Sequence, residues 1–262
     1  MTLSTGCILR DFNKNPRGSL AFAPAVEIET IPRSEWRDRI EEKKKNKSRL
    51  SDIWKRANIP LIYQNGLGWC WAFGCANNIM LSRAVANQPF LHLSPSSIAG
   101  PVANYRNTGM PIYAALERAC SHGIADVSVY PELTQNRLWT PEVEANASRN
   151  VVQEHWDLEV YNGKQKTHGQ QEHIFEILAT CLLRDMPVTV ALDWWGHCVT
   201  YCDLDYENGK YVVDGVNSHG ASYKYGNAPY AGWFRFPEGT GQHTANPYEM
   251  YVSRVVSANS GM

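Results

Sequence analysis

A cysteine, a histidine and an asparagine stand in this chain in an order that suits nucleophilic catalysis. Cys70 follows a glycine-rich turn at residues 64–68 and begins a segment with the apolar pattern of a helix. Unpaired backbone N–H groups at a helix N-terminus stabilise a thiolate, which is the nucleophilic form of cysteine. His197 and Asn217, 127 and 147 residues further on, could supply a base and a group that orients it.

The other six cysteines lack this context. Cys75, Cys120 and Cys181 are interpreted as core residues, and an odd total of seven argues against a disulfide framework and favours a reducing compartment. Cys198 and Cys202 share a strand face with His197 nearby, but they would lie ~13 Å apart, too far to bind one zinc ion. We therefore predict no metal site and no cofactor.

Four ordered segments of the sequence resemble those of papain-like cysteine peptidases. They are Gln64-x5-Cys70-Trp71-Ala72-Phe73, Gly109-Met110-Pro111, Gly196-His197-Cys198 and Val216-Asn217-Ser218. With Ile31-Pro32-x-Ser34-x-Trp36-Arg37 before them and Gly232-Trp233-Phe234-Arg235 after them, the resemblance spans about residues 31–256. The resemblance implies an α+β fold with a helical left half, an antiparallel β-barrel-like right half, and the active-site cleft between them. It also implies a catalytic set consisting of Gln64, Cys70, His197 and Asn217.

The resemblance assigns a role to each member of this set. His197 takes the proton of Cys70, Asn217 holds the imidazole ring, and the Gln64 amide stabilises the oxyanion with the Cys70 backbone N–H. A peptide backbone can approach closely at Gly109, because glycine has no side chain. The residues predicted to contact substrate are Gly68, Gly109, Met110, Pro111, Trp195, Cys198 and His219.

Three departures from the family pattern limit what the resemblance implies. Leu67 stands where the family has a disulfide-forming cysteine. His219 stands where the family has a tryptophan that shields the triad; it could cover the triad less well, titrate, or be an ordinary surface histidine. A short segment before His197 forces Trp194 and Trp195 near the catalytic ring, where we expect one of them to line the cleft rather than cap the core.

The elements that must position these residues differ between the two halves of the chain. We expect an N-terminal lead (residues 1–30), a charged segment with an insertion (31–60), a helical subdomain carrying the nucleophile (61–150) and a β-rich subdomain carrying His197 and Asn217 (151–262). Helices are predicted at about 34–57, 70–85, 111–122 and 170–184. Strands are predicted at 188–192, 198–202, 211–214, 233–236 and 248–256, with a hairpin turn at Glu207-Asn208-Gly209-Lys210.

Composition narrows the class of function. A formal net charge of −1 over 262 residues favours neither nucleic acid nor an anionic membrane as partner. The first residues have no apolar core of the secretory type, so we expect the chain in the cytoplasm or in a particle assembled there. The leading hypothesis is a peptidase acting on peptides or proteins. The alternatives are acyl transfer by the same residues and a non-catalytic component of a larger assembly.

Overall fold

A computed structural model describes residues 6–158 and 168–255 of the chain. Helices dominate the first part of this region, and strands dominate the second. The helices are α1 (Arg33–Asn46), α2 (Leu50–Arg56), α3 (Cys70–Val85), α4 (Pro95–Val102), α5 (Ile112–Ser121), α6 (Pro141–Ala147) and α7 (His168–Leu183). The strands are β1 (Val152–Asp157), β2 (Val188–Leu192), β3 (His197–Glu207), β4 (Lys210–Val216), β5 (Trp233–Pro237) and β6 (Glu249–Val255).

The described strands form one antiparallel sheet in the order β1-β6-β2-β3-β4-β5. The predicted α+β class is therefore confirmed. The sheet is open rather than closed into a barrel, because β1 and β5 lie at its two edges and pair with one neighbour each. The β3–β4 hairpin turns through Asn208 and Gly209, whose φ angles of 51° and 80° are those a tight hairpin turn requires.

Helix α3 is the central helix, and it is buried on every side along most of its length. It packs against α2, α4 and α5 on one side and against β2, β3 and β6 on the other. A helix that contacts other elements all round must be apolar all round, which explains why its sequence lacks a strong polar face. Close contact with β3 occurs at Gly74, whose carbonyl accepts a hydrogen bond of 2.8 Å from the Thr200 hydroxyl.

The structure differs from the sequence prediction at the charged segment and at strand β1. The charged segment predicted as one solvated helix forms α1 and α2 instead, and both bury tryptophan and aliphatic side chains against the core. Strand β1 was not predicted, because its exposed Gln153 and its polar neighbours hide the apolar alternation.

All seven cysteines are described, and each is a free thiol. No described helix is long and apolar enough to span a membrane.

The N-terminal lead is anchored to the sheet by a buried ion pair. Arg10 is 1% exposed, and its Nη1 donates to Asp157 Oδ2 over 2.9 Å and to the Tyr251 hydroxyl over 2.7 Å. The backbone follows the same route, since Val26 N donates to Asp157 O and Ala25 forms a parallel bridge with Asp157. Residues 1–5 of the predicted lead lie outside the described residues. The rest of the lead is part of the folded domain.

We predict that Arg10→Ala lowers the free energy of unfolding by about 3–5 kcal/mol, because it leaves the Asp157 carboxylate buried without its cation. The matched control is Arg39→Ala, which removes an exposed pair with Glu35 and should change stability by less than about 1 kcal/mol. Urea unfolding followed by tryptophan fluorescence measures both. Equal unfolding midpoints for the two variants would contradict the anchoring role of Arg10.

Candidate active site

Cys70 lies at the first position of α3, with Trp69 as the N-cap. Its side chain is fully buried, and its sulfur accepts a hydrogen bond of 3.4 Å from the backbone N–H of Gly6. Burial raises the pKa of the thiol to about 11, although backbone N–H groups, among them those of Cys198 and Gly6, oppose the shift. In this state Cys70 is therefore a neutral thiol, because the loss of water outweighs the helix-start position that favours a thiolate.

His197 and Asn217 lie together, as the sequence predicts. His197 opens β3, Asn217 follows the end of β4, and His197 Nε2 donates to Asn217 Oδ1 over 2.9 Å. The same oxygen accepts from the Ser218 backbone N–H at 2.8 Å. The pKa of His197 is lowered to about 3, chiefly by burial and also by the nearby His219, while the Asn217 hydrogen bond acts in the opposite direction. The imidazole is therefore neutral.

His197 Nδ1 is buried and forms no hydrogen bond with any described residue. No bond therefore joins it to the Cys70 sulfur, although α3 and β3 pack together and the Cys198 backbone N–H is directed at that sulfur. Cys70 is thus a neutral thiol that accepts a hydrogen bond from Gly6, and His197 is a neutral imidazole that donates one to Asn217. The predicted proton transfer from Cys70 to His197 would require a hydrogen bond between the sulfur and Nδ1, which this state lacks.

Gln64 is buried in the turn before Cys70, next to the loop that contains Asn217 and Ser218. Its Nε2 donates to the Leu67 carbonyl over 2.5 Å, and its Oε1 accepts from the Ser218 hydroxyl over 2.5 Å. Its backbone N–H donates to the Ser218 carbonyl. The Gln64 side chain thus links the turn before Cys70 to the loop after Asn217. Its role as an oxyanion donor stays a prediction.

Aromatic rings surround the histidine. The Trp195 ring centroid lies 4.6 Å from that of His197, and Trp194 stacks on Trp195 at 5.4 Å with an interplanar angle of 9°. His219 is only 4% exposed and stacks on His197 at 4.4 Å, so its interpretation as an ordinary surface histidine is wrong. Trp195, two residues before His197, thus contacts the histidine as well as His219.

The other predicted substrate contacts line a cleft that the chain itself fills. Gly6, Cys7 and Ile8, here called the cleft segment, pair with Met110: Met110 N donates to Gly6 O over 3.0 Å, and Ile8 N to Met110 O over 3.2 Å. On the opposite side, Cys7 N donates to the carbonyl of Gly196 over 3.2 Å. The cleft segment therefore runs between the helical half and β3 and covers Cys70.

Glycine is required where the cleft segment passes Cys70. A Cβ on Gly6 would lie 2.0 Å from the Gly68 carbonyl oxygen, and one on Gly109 would lie 2.4 Å from the Gly6 oxygen. Sequence reasoning identified Gly109 and Gly68 but missed Gly6, whose only signal was an isolated glycine in a weakly patterned segment. Close backbone approach at all three positions makes the cleft narrow.

The remaining predicted substrate contacts are Pro111 and Cys198, and their contact with substrate stays a prediction. Pro111 is the N-cap of α5, next to Met110, and Cys198 is buried on β3 facing Gly74 of α3. Among the described residues, no group of three or more histidine, cysteine or carboxylate side chains is arranged to hold a metal ion.

Comparison with solved structures shows the papain-like fold. The chain is similar to digestive procathepsin L 3 from the larval midgut of Tenebrio molitor, at 17% identity and a TM-score of 0.60 over 77% of this chain and 68% of that one. It is also similar to procathepsin B S9 from Trypanosoma congolense, at 12% identity and a TM-score of 0.65 over 97% and 87% of the two chains.

A third solved structure, of another cysteine protease, matches as well. Xylellain from Xylella fastidiosa is 16% identical, with a TM-score of 0.57 over 75% of this chain and 83% of that one. Sequence comparison finds no matching protein family and no matching curated relative. The fold and the positions of Cys70, His197 and Asn217 therefore define the class of this protein: it has the papain-like α+β architecture with a cysteine, histidine and asparagine at the cleft.

We predict that Gly6→Ala exposes Cys70, because the added methyl group collides with the Gly68 carbonyl and moves the cleft segment. The alkylation rate of Cys70 by iodoacetamide, read by mass spectrometry, should rise at least about tenfold as the thiol regains water and its pKa falls from about 11. Gly169→Ala is the matched control, because a Cβ there meets nothing within 4 Å. An unchanged rate in folded Gly6→Ala protein would show that the cleft segment does not protect Cys70.

Proposed function

We propose that the chain is a papain-type cysteine peptidase that hydrolyses peptide bonds through a thioester on Cys70. The observation that carries the proposal is the 2.9 Å hydrogen bond from His197 Nε2 to Asn217 Oδ1. His197 is the first residue of β3, and β3 packs against α3. This bond places a proton on Nε2, so Nδ1 has the lone pair that can accept the Cys70 proton.

The proposed reaction follows from these positions. His197 Nδ1 takes the thiol proton, and the thiolate attacks the peptide carbonyl carbon to form a tetrahedral oxyanion. The Cys70 backbone N–H and the Gln64 amide stabilise that oxyanion. His197 then gives the proton to the leaving amine, which departs and leaves a thioester. Water activated by His197 releases the acid and restores the thiol.

The class of substrate follows from the cleft segment. Its backbone bonds to Met110 and Gly196 are those that any extended polypeptide can form, since they use only main-chain N–H and C=O groups. We therefore propose a peptide or protein substrate bound in extended form along the same two walls. Binding requires that the cleft segment leave, so the described state is a closed form of the enzyme.

We predict that a peptide fluoromethyl ketone labels Cys70 and no other cysteine, and that deleting residues 1–8 accelerates the labelling. Deletion removes the cleft segment but keeps the anchor at Arg10. Peptide mapping by mass spectrometry identifies the labelled residue. Cys70→Ala should abolish labelling, while Cys75→Ala, which removes a buried thiol of the same helix, should leave it unchanged.

Other results would select a different function. No labelling of folded protein, with or without residues 1–8, would refute the peptidase and favour a non-catalytic component. Labelling with transfer of the acyl group to an added amine, in place of hydrolysis, would favour acyl transfer. Mass spectrometry of the products of a model peptide distinguishes hydrolysis from acyl transfer.

We predict that Asn217→Ala lowers the labelling rate at Cys70 about 10- to 150-fold, because a hydrogen bond to a charged group contributes about 1.5–3 kcal/mol. The bond in question is made by His197 once it has become an imidazolium ion. Thermal unfolding must show that the variant remains folded. A rate within about twofold of wild type in folded protein would refute an orienting role for Asn217.

A further inference from the structure

His219 contacts both members of the orienting pair. Its ring stacks on that of His197, with centroids 4.4 Å apart and an interplanar angle of 27°. Its Nδ1 lies 3.3 Å from Asn217 Nδ2. It is thus the third residue in a chain of contacts that runs from His197 through Asn217 to His219, and the reaction proposed above assigns it no task.

The hydrogen bonds of Asn217 require a particular form of His219. The amide oxygen accepts from His197 Nε2 and from the Ser218 backbone N–H. The amide nitrogen can only donate, so the atom that faces it, His219 Nδ1, must be an acceptor. That atom is an acceptor only when His219 is neutral with its proton on Nε2.

We propose that His219 is a positioning residue that switches the site off in acid: neutral, it holds the Asn217 amide with its oxygen on His197, and protonated, it releases that amide. This inference rests on the proposed peptidase function. A protonated Nδ1 would face the N–H groups of Asn217 as a second donor. Rotating the amide to relieve this contact would turn its nitrogen toward the N–H of His197 and break the orienting bond.

The charge of His219 acts in the same direction. A cation stacked 4.4 Å from His197 opposes the formation of the imidazolium ion that pairs with the thiolate. Burial is the largest cause of the lowered pKa of His197, and the electrostatic coupling to His219 acts in the same direction. Acid therefore weakens both the orientation and the charging of the catalytic base.

The titratable groups that face His219 come from three parts of the fold. His197 opens β3, Tyr223 approaches edge-on at 5.1 Å from the loop after β4, and Tyr63 pairs with His219 by an antiparallel bridge from the segment before α3. Burial raises the pKa of Tyr223 to about 12, so this phenol stays neutral in the acid range. Trp195 also packs edge-on at 5.9 Å but does not titrate.

The first test compares the pH dependence of Cys70 labelling by the peptide fluoromethyl ketone in the full-length chain, with and without Gly6→Ala. In wild type the rate should fall at least about tenfold more between about pH 7.5 and about pH 5 than in His219→Asn. Asparagine cannot be protonated but offers an amide oxygen near the place of Nδ1. It should therefore lose the acid dependence, read as the ratio of the labelling rates at the two pH values.

Two further variants separate positioning from packing. His219→Phe keeps a stacked ring without an acceptor, so its rate should be lower at every pH, with no acid dependence of its own. His243→Asn is the matched control, because His243 stacks on Tyr225 in the same aromatic cluster but does not touch Asn217. It should keep the wild-type profile. An acid dependence that persists in His219→Asn, or equal rates for the Asn and Phe variants, would overturn the proposal.

A measurement that needs no activity makes this outcome independent of the peptidase hypothesis. In full-length protein labelled with nitrogen-15 in histidine and asparagine, NMR should show His219 Nδ1 unprotonated near neutral pH. The Asn217 side-chain signal should shift as His219 titrates. A protonated Nδ1, or an Asn217 signal that ignores the titration, would overturn the inference even in an active enzyme. The expected NMR result with no labelling at Cys70 would instead refute the proposed function alone.

Discussion

The site depends on the close approach of α3 to β3 at Gly74. A Cβ at this position would lie 2.7 Å from the Cys198 sulfur, so any larger residue would push the helix away from the strand. The Thr200 hydroxyl fixes the same contact by donating to the Gly74 carbonyl. Because Cys70 begins α3 and His197 begins β3, this one contact holds the thiol and the imidazole at the same place in the fold.

The loop after β4 links the other residues of the site to the contact between α3 and β3. Its backbone pairs with the segment before α3, through Gln64 N to Ser218 O and the bridge between Tyr63 and His219. These pairs position Asn217, Gln64 and His219 together, since all three lie on the two paired segments. A change in the register of this short pairing would disturb the orienting amide and the predicted oxyanion donor at once.

Burial explains the electrostatics of the closed site. It raises the pKa of Cys70 and lowers that of His197, and in each case it is the largest cause. Both shifts favour the neutral thiol and the neutral imidazole while the cleft segment keeps water away from Cys70.

Much of the fold and the site could be predicted from local signals. The bounds of α3, the β3–β4 hairpin and the order of Cys70, His197 and Asn217 follow from apolar periodicity, turn residues and motifs, which depend on neighbours in sequence. The order of strands in the sheet and the cleft segment could not be predicted, because they depend on pairing between distant residues. Strand β1 could not be predicted because its polar residues hide the apolar alternation. The tertiary structure also determines two properties that the motifs leave open. A helix start favours a thiolate, but only the tertiary structure determines whether water reaches Cys70 and whether His219 lies at the surface or against His197.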